Sequence, residues 1–219
     1  MLKHLGHGLA VLCLVGLVAT GLGGCWNPFA PDEGDGGGDG DAEYKIRTSP
    51  SNVLHNLMTA YENKNAEEYL DCLAEDFIFF LNEDDWTNDP TLPQYWGKAE
   101  EQAIHENMFA EGGDVDRITL TLTLDGTPVQ VPGPEPEDPP HWQYQESVDL
   151  RVYIGATIYL ATAPSLYEFR IDEDPVGPSG ETLWEIWRWY DLDDQSRLGE
   201  PEPGTEHASF GLIKADFLK

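Results

Sequence analysis

Two periods divide the chain. Between residues 50 and 110 apolar positions recur every three or four residues, and from residue 117 they recur every second one. In the first zone Val53, Leu54, Leu57, Met58 and Tyr61 fall on one face of a helix. Ser49 is a good N-cap and Pro50 suits the first helical position, so a helix is predicted over 50–63, broken by Asn63-Lys64-Asn65. A second short helix over 66–74 buries Tyr69, Leu70 and Leu73, and a third over 98–110 sets Ile104 and Met108 on one face. Between them, residues 77–81 (FIFFL) form a continuous apolar run, read as a strand buried on both faces or at a sheet centre. An acidic, proline-containing loop leads from there to Gly97.

In the second zone Ile118, Leu120, Leu122 and Leu124 alternate with Arg117, Thr119, Thr121 and Thr123. This is a half-buried strand with its aliphatic side inward. Asp125-Gly126 is a hairpin turn signal, and residues 132–140 (PGPEPEDPP) read as a surface loop. Trp142, Tyr144, Glu146, Val148, Leu150, Val152 and Ile154 then make one face of a long strand, interrupted by Glu146. Further strands are predicted at 156–162, 166–172 and 183–191, the last rich in tryptophan, with a short strand or turn in 209–217. Helices followed by a long antiparallel sheet make an α+β domain.

The first 25 residues have a different logic. Residues 9–18 (LAVLCLVGLV) are an apolar core the length of a secretory signal, short for a membrane span. Leu22-Gly23-Gly24-Cys25 follows, the order of a bacterial lipoprotein cleavage box, so Cys25 is expected to be lipidated. Several acyl chains on one cysteine anchor a protein stably. Trp26 stands where Asp implies inner-membrane retention in resembling lipoproteins, so the expected location is the outer membrane of the cell envelope. Residues 27–43 (NPFAPDEGDGGGDGDAE) cannot bury enough apolar area to order themselves and read as a disordered acidic tether. The predicted organisation is a signal peptide over 1–24, the lipidated cysteine and tether over 25–47, and one domain over 48–219.

Charge removes one class of partner. With 12 basic against 41 acidic residues the formal net charge is −29, which leaves little basic surface for nucleic acid. More than half of the acidic residues lie in segments that read as loops, which describes a solvated coat rather than a focused site. Salt adaptation, calcium affinity and solubility all produce such a composition. Asp39, Asp41 and Glu43 lack the glycine and closing glutamate of a calcium loop. The histidines show no zinc-ligand spacing, so no metal and no cofactor is expected. Cys72, the thiol remaining after Cys13 and Cys25, reads as a small buried hydrophobe on a helix.

The stretch VLHNLMTAYENKNAEEYLDCLAEDFIFF resembles the opening of the nuclear-transport-factor-2-like superfamily, where two helices meet at a polar turn and feed an Asp-aromatic start to the first strand. The tryptophan-rich strand ending in Asp191 resembles its closing strands. The resemblance covers about 48–219. It implies three N-terminal helices packed in a strongly curved antiparallel sheet, a cone-shaped α+β barrel whose open end holds a small apolar ligand. It also implies either a SnoaL-like cyclase, isomerase or dehydratase or a non-catalytic binding or assembly domain. Ketosteroid isomerases of this superfamily use a tyrosine on the first helix and an aspartate after the first strand. Registered on Asp76-Phe77, this chain has Leu57 and Leu81 at those positions, so that mechanism is absent. A slip of one or two residues would bring in a carboxylate from Glu83, Asp84 or Asp85.

No catalytic set is read from the sequence. Glu146 is the one candidate base, because a carboxylate on an apolar strand face is desolvated; strand-end exposure or pairing with Arg151 or Arg188 is the plainer alternative. Trp187, Trp189 and Tyr144 are the candidate binding residues. Trp187 and Trp189 are expected to face outward with Glu185 and to line a homodimer interface through the sheet. The leading functional reading is a lipid-anchored envelope domain that binds a small apolar ligand or a partner protein without catalysis. A pocket-carboxylate enzyme and a structural dimerising component are the alternatives.

Overall fold

The computed structural model describes residues 43–124, 128–133, 140–192 and 204–218. The signal peptide, Cys25, nearly all of the tether, Asp125-Gly126 and most of the 132–140 loop lie outside them. Helix α1 (Pro50–Asn63) forms where predicted. Ser49 Oγ accepts from the Asn52 N–H, Pro50 opens the first turn, and Lys64 closes the helix in the left-handed region at φ 53°. Helix α2 (Ala66–Asp71) is shorter than predicted. Cys72 caps it, and Leu73 already pairs with Ile186 as the start of strand β1 (Leu73–Phe80). The acidic loop after β1 contains helix α3 (Glu83–Asn88) and strand β2 (Tyr95–Gly97). Three carboxylates in the first turn of α3 complement its dipole. Helix α4 (Lys98–Met108) follows, its start tied by the Glu100 carboxylate to the Gly97 N–H.

The rest is sheet: β3 (Arg117–Leu124), β4 (Val129–Val131), β5 (His141–Ile154), β6 (Thr157–Ala161), β7 (Pro164–Val176), β8 (Thr182–Asp191) and β9 (Thr205–His207). One large, curved, unclosed sheet runs in the order β2-β1-β8-β7-β5-β6-β9. The long β5 pairs along one edge with β7 and then β6, and along its other edge with β4 and β3. Strands β3 and β4 both pair with β5 antiparallel and so run the same way along it. The sheet is also not wholly antiparallel: β1 joins β8, and β6 joins β9, in parallel. Ile118 and Leu120 point inward as the alternation requires, Leu122 is half-buried, and Thr121 and Thr123 are exposed.

Helices α1, α2 and α4 fill the concave face with Val53, Leu57, Tyr61, Tyr69, Ile104 and Met108. Opposite them a row of rings crosses five strands in register: Tyr144, Tyr167, Trp189, Phe79 and Trp96. All five are buried. Trp189 is therefore core, not an outward partner of Trp187. Its ring packs against Tyr167 at 4.6 Å and against Phe210 at 4.7 Å. The reason is a bulge: Glu168 pairs with Arg188 and Phe169 with Ile186, so Trp187 is the extra residue in β8. Strict alternation fails there, and Ile186 and Trp189 face inward three positions apart.

The predicted last strand or turn is instead helix α5 (Phe210–Ala215), capped by Ser209 Oγ, which accepts from the Leu212 N–H at 2.9 Å. Phe210, Ile213 and Lys214 of α5 are buried in the concave face. Gly211 comes so close to β1 that a Cβ there would lie 2.0 Å from Leu81 Cδ1.

Candidate interior site

Two buried polar groups share the cone. The first is centred on Glu101, on the inner face of α4, whose side chain is fully buried. Its Oε1 accepts from Lys214 Nζ at 2.7 Å and from the Trp96 indole N–H at 2.7 Å. Its Oε2 accepts from the Tyr69 hydroxyl at 2.9 Å. His105, one turn on, donates from Nδ1 to the Glu101 carbonyl at 2.8 Å and accepts at Nε2 from the Tyr61 hydroxyl at 2.8 Å. The His105 ring also stacks on Tyr69 at 3.6 Å.

Lys214 is fully buried too, and its ammonium sits among rings: 4.2 Å from the centroid of Phe79, 4.3 Å from Trp189, 5.0 Å from Phe210 and 5.8 Å from Tyr69. Those are cation–π distances. Burial opposes ionisation of Glu101, but the Lys214 charge and the hydrogen bonds around the carboxylate win and hold its pKa at about 2. Burial lowers the Lys214 and His105 pKa values, with Glu101 opposing in both. His105 is accordingly neutral at pH 7, and Glu101 with Lys214 forms a buried ion pair.

The second group is a row on neighbouring strands. Glu146 pairs with Ser165, and Ser165 with Asp191, across β5, β7 and β8. All three are buried. Asp191 Oδ2 accepts from the Gly211 N–H of α5 at 2.7 Å. Among the described residues, neither oxygen of Glu146 nor Oδ1 of Asp191 has a hydrogen-bond partner. Desolvation pushes Glu146 up to about 8. Desolvation, with Asp85 adding to it, pushes Asp191 up to about 7. Near pH 7 Glu146 is mostly protonated and Asp191 is close to its midpoint, in the range useful for proton transfer.

The structure places the other sequence candidates as follows. Arg151 bonds Asp149 and Arg188 lies beside Glu168, so neither pairs with Glu146. Asp76 is on the outside, bonded to Arg170 and to the Trp187 indole. Leu57 and Leu81 are core. From the cluster after β1, Asp85 is buried near Asp191. Tyr144 belongs to the inner ring row. Trp187 is on the outer face, with the Arg188 guanidinium 4.2 Å from its ring centroid, beside a pocket of about 210 Å³ also lined by His141, Gln143 and Tyr190. The interior row and this outer pocket are separate, so Trp187 does not join Tyr144 and Trp189. The buried Cys72 thiol lies 3.3 Å from the Glu68 carbonyl, and burial raises its pKa, which makes it inert. Among the described residues no group of three or more His, Cys, Asp and Glu is placed to hold a metal ion.

Sequence reasoning missed Glu101, His105, Lys214 and Asp191 as site residues. A signal for two of them was present: Glu101, Ile104, His105 and Met108 lie on the same helical stripe, so a carboxylate and an imidazole share an apolar face.

No protein-family model and no curated protein matches this chain. Solved structures are similar to it in chain path. One is a conserved protein from Planctomyces limnophilus, 15% identical, covering 64% of this chain and 89% of that one with a TM-score of 0.45. An NTF2-like protein with a cystatin-like fold from Novosphingobium aromaticivorans is 12% identical over 67% of this chain and 80% of its own, TM-score 0.40. An NTF2-like superfamily protein from Salmonella enterica is 11% identical over 68% and 92%, TM-score 0.40. The architecture itself rests on strand order: helices against the concave face of a curved, unclosed sheet, the cone that the sequence resemblance implies.

The two groups affect stability in opposite pH ranges. A raised carboxyl pKa means that the folded chain keeps a proton the unfolded chain has released, so the contribution of Glu146 and Asp191 falls as pH rises from about 4.5 to about 8. Glu101, with its lowered pKa, contributes fully above about 4.5 and loses that contribution as pH falls toward 2. Urea unfolding of Glu146→Gln should show about 2–4 kcal/mol less loss of stability between pH 5 and 8.5 than wild type. An unchanged pH slope would contradict the placement of Glu146.

Proposed function

We propose that this chain is a lipid-anchored envelope protein whose cone binds a small ligand, and that α5 occupies the ligand's place in the structure described here. One observation carries the second half: Lys214 and Phe210, both from α5, are fully buried at the centre of the cone and make its innermost contacts. A six-residue helix is too short to be stable by itself, so its place depends on these contacts. The ligand has a largely apolar body, since the walls are the rings of Phe79, Tyr144, Tyr167 and Trp189. The site as a whole is a binding site before it is a catalytic one, because Glu101, Glu146 and Asp191 are all buried while α5 is docked.

A second reading has its own support. Asp191 and Glu146, with pKa values near 7 and 8 on strands that both flank β7, would serve as acid and base once α5 leaves, as in a SnoaL-like isomerase or dehydratase. The N–H of Gly211 would uncover Asp191 as it departs.

The anchor rests on the order Leu22-Gly23-Gly24-Cys25 after an apolar core and on the acidic, glycine-rich residues that follow. Cys25→Ala should move the protein from the membrane to the soluble fraction and abolish incorporation of labelled palmitate. Equal membrane recovery of both chains would overturn the anchor. For the cone, native-state hydrogen exchange should show the α5 amides opening well before those of β7 and β8, at a free energy below that of global unfolding. Exchange of α5 in step with β7 and β8 would make it a fixed part of the core.

A further inference from the structure

The group that α5 inserts is a cation, and this restricts what can replace it. Glu101 is completely buried, and three of its interactions come from fixed parts of the cone: the Trp96 indole, the Tyr69 hydroxyl and His105. The fourth comes from the ammonium of Lys214, at 2.7 Å. If α5 leaves and only water enters, the carboxylate loses its counter-charge and the ring contacts around it, and a cationic ligand restores both. A neutral ligand leaves that deficit in place, and an anion worsens it. The vacated position is also shaped for an ammonium, because the rings of Phe79 and Trp189 lie 4.2 and 4.3 Å from it and the Tyr69 hydroxyl accepts from it at 3.3 Å. Next to it, the place of the Phe210 ring lies against Trp189 at 4.7 Å and Tyr61 at 6.2 Å, an aromatic slot for an apolar body. Phe210 and Lys214 are one turn apart on α5, so the two together present an aryl group and an amine from one face. The net charge of −29 favours local accumulation of cations over anions.

We propose that the cone is a site for a small primary amine with an aromatic or branched apolar body, its ammonium taking the place of Lys214 beside Glu101 and its body that of Phe210. The proposal rests on the reading of α5 as a displaceable occupant and adds the chemical class of the ligand. Lys214 is then an internal stand-in, and the ligand binds only as fast and as tightly as α5 gives way.

The test uses the full chain, titrated calorimetrically with 2-phenylethylamine, 2-phenylethanol and 3-phenylpropionate, with hydrogen exchange of residues 211–214 followed in parallel. Saturable binding of the amine is expected, at least tenfold tighter than the alcohol or the acid, with faster exchange of α5 on saturation. The double variant Glu101→Gln/Lys214→Met carries no charge at either position and keeps the volume, so it should fold and lose the preference for the amine. Equal binding of amine and alcohol by wild type, or undiminished amine preference in the double variant, overturns the amine assignment and leaves α5 as a displaceable occupant. Absence of amine binding while α5 opens readily overturns it as well. Exchange of α5 only together with β7 and β8 removes the underlying reading instead.

Discussion

A carboxylate and an ammonium 113 positions apart in the chain meet inside the cone with no exposure of either side chain, and the interior depends on that pair. Taking both charges out of water costs several kcal/mol for each ion, so the arrangement is tolerable only because every remaining valence is used. Trp96 and Tyr69 satisfy the carboxylate, and the rings of Phe79, Trp189 and Phe210 with the Tyr69 hydroxyl surround the ammonium. The consequence reaches outward. Glu101 fixes the inner face of α4, Trp96 ties it to the edge strand β2, and Lys214 holds α5 in the cone, where Gly211 reaches Asp191. A hydrophobic plug would bind the cone more cheaply; a charged one makes docking conditional on the partner charge.

The second polar row follows from the first. With α5 seated, Glu146 and Asp191 are buried on the two strands that flank β7, and desolvation raises both pKa values toward neutral pH. At pH 7 Glu101 is ionised, Glu146 is mostly protonated and Asp191 is near its midpoint, although all three are carboxyls. The difference lies in the partners: Glu101 has an ammonium and two further donors, whereas Asp191 Oδ2 has the Gly211 N–H and Glu146 has no hydrogen-bond partner among the described residues.

The sequence made local features readable and long-range ones not. Helix α1 could be bounded to the residue because Ser49, Pro50 and Lys64 are local signals. The inward faces of β3 and β5 followed from alternation, since a sheet with one buried face fixes its register. Trp189 was misplaced because the bulge at Trp187 adds a residue that no period-two reading contains. Helix α5 was read as strand or turn: it is one and a half turns long, and only the Ser209 cap marks its start. Glu146 stood out as a break in an apolar face, but the partner of Glu101 lies 113 positions away, a distance over which spacing carries no information.

The most direct measurement is a double-mutant cycle on Glu101 and Lys214 by urea unfolding at pH 7. Glu101→Gln and Lys214→Met alone should each cost about 3–5 kcal/mol, because each strands the other's charge in the core. The double variant should return to within about 1–2 kcal/mol of wild type, a strongly non-additive result. Additive losses, with the double variant the least stable of the four, would mean that the two side chains do not depend on each other and would contradict the account.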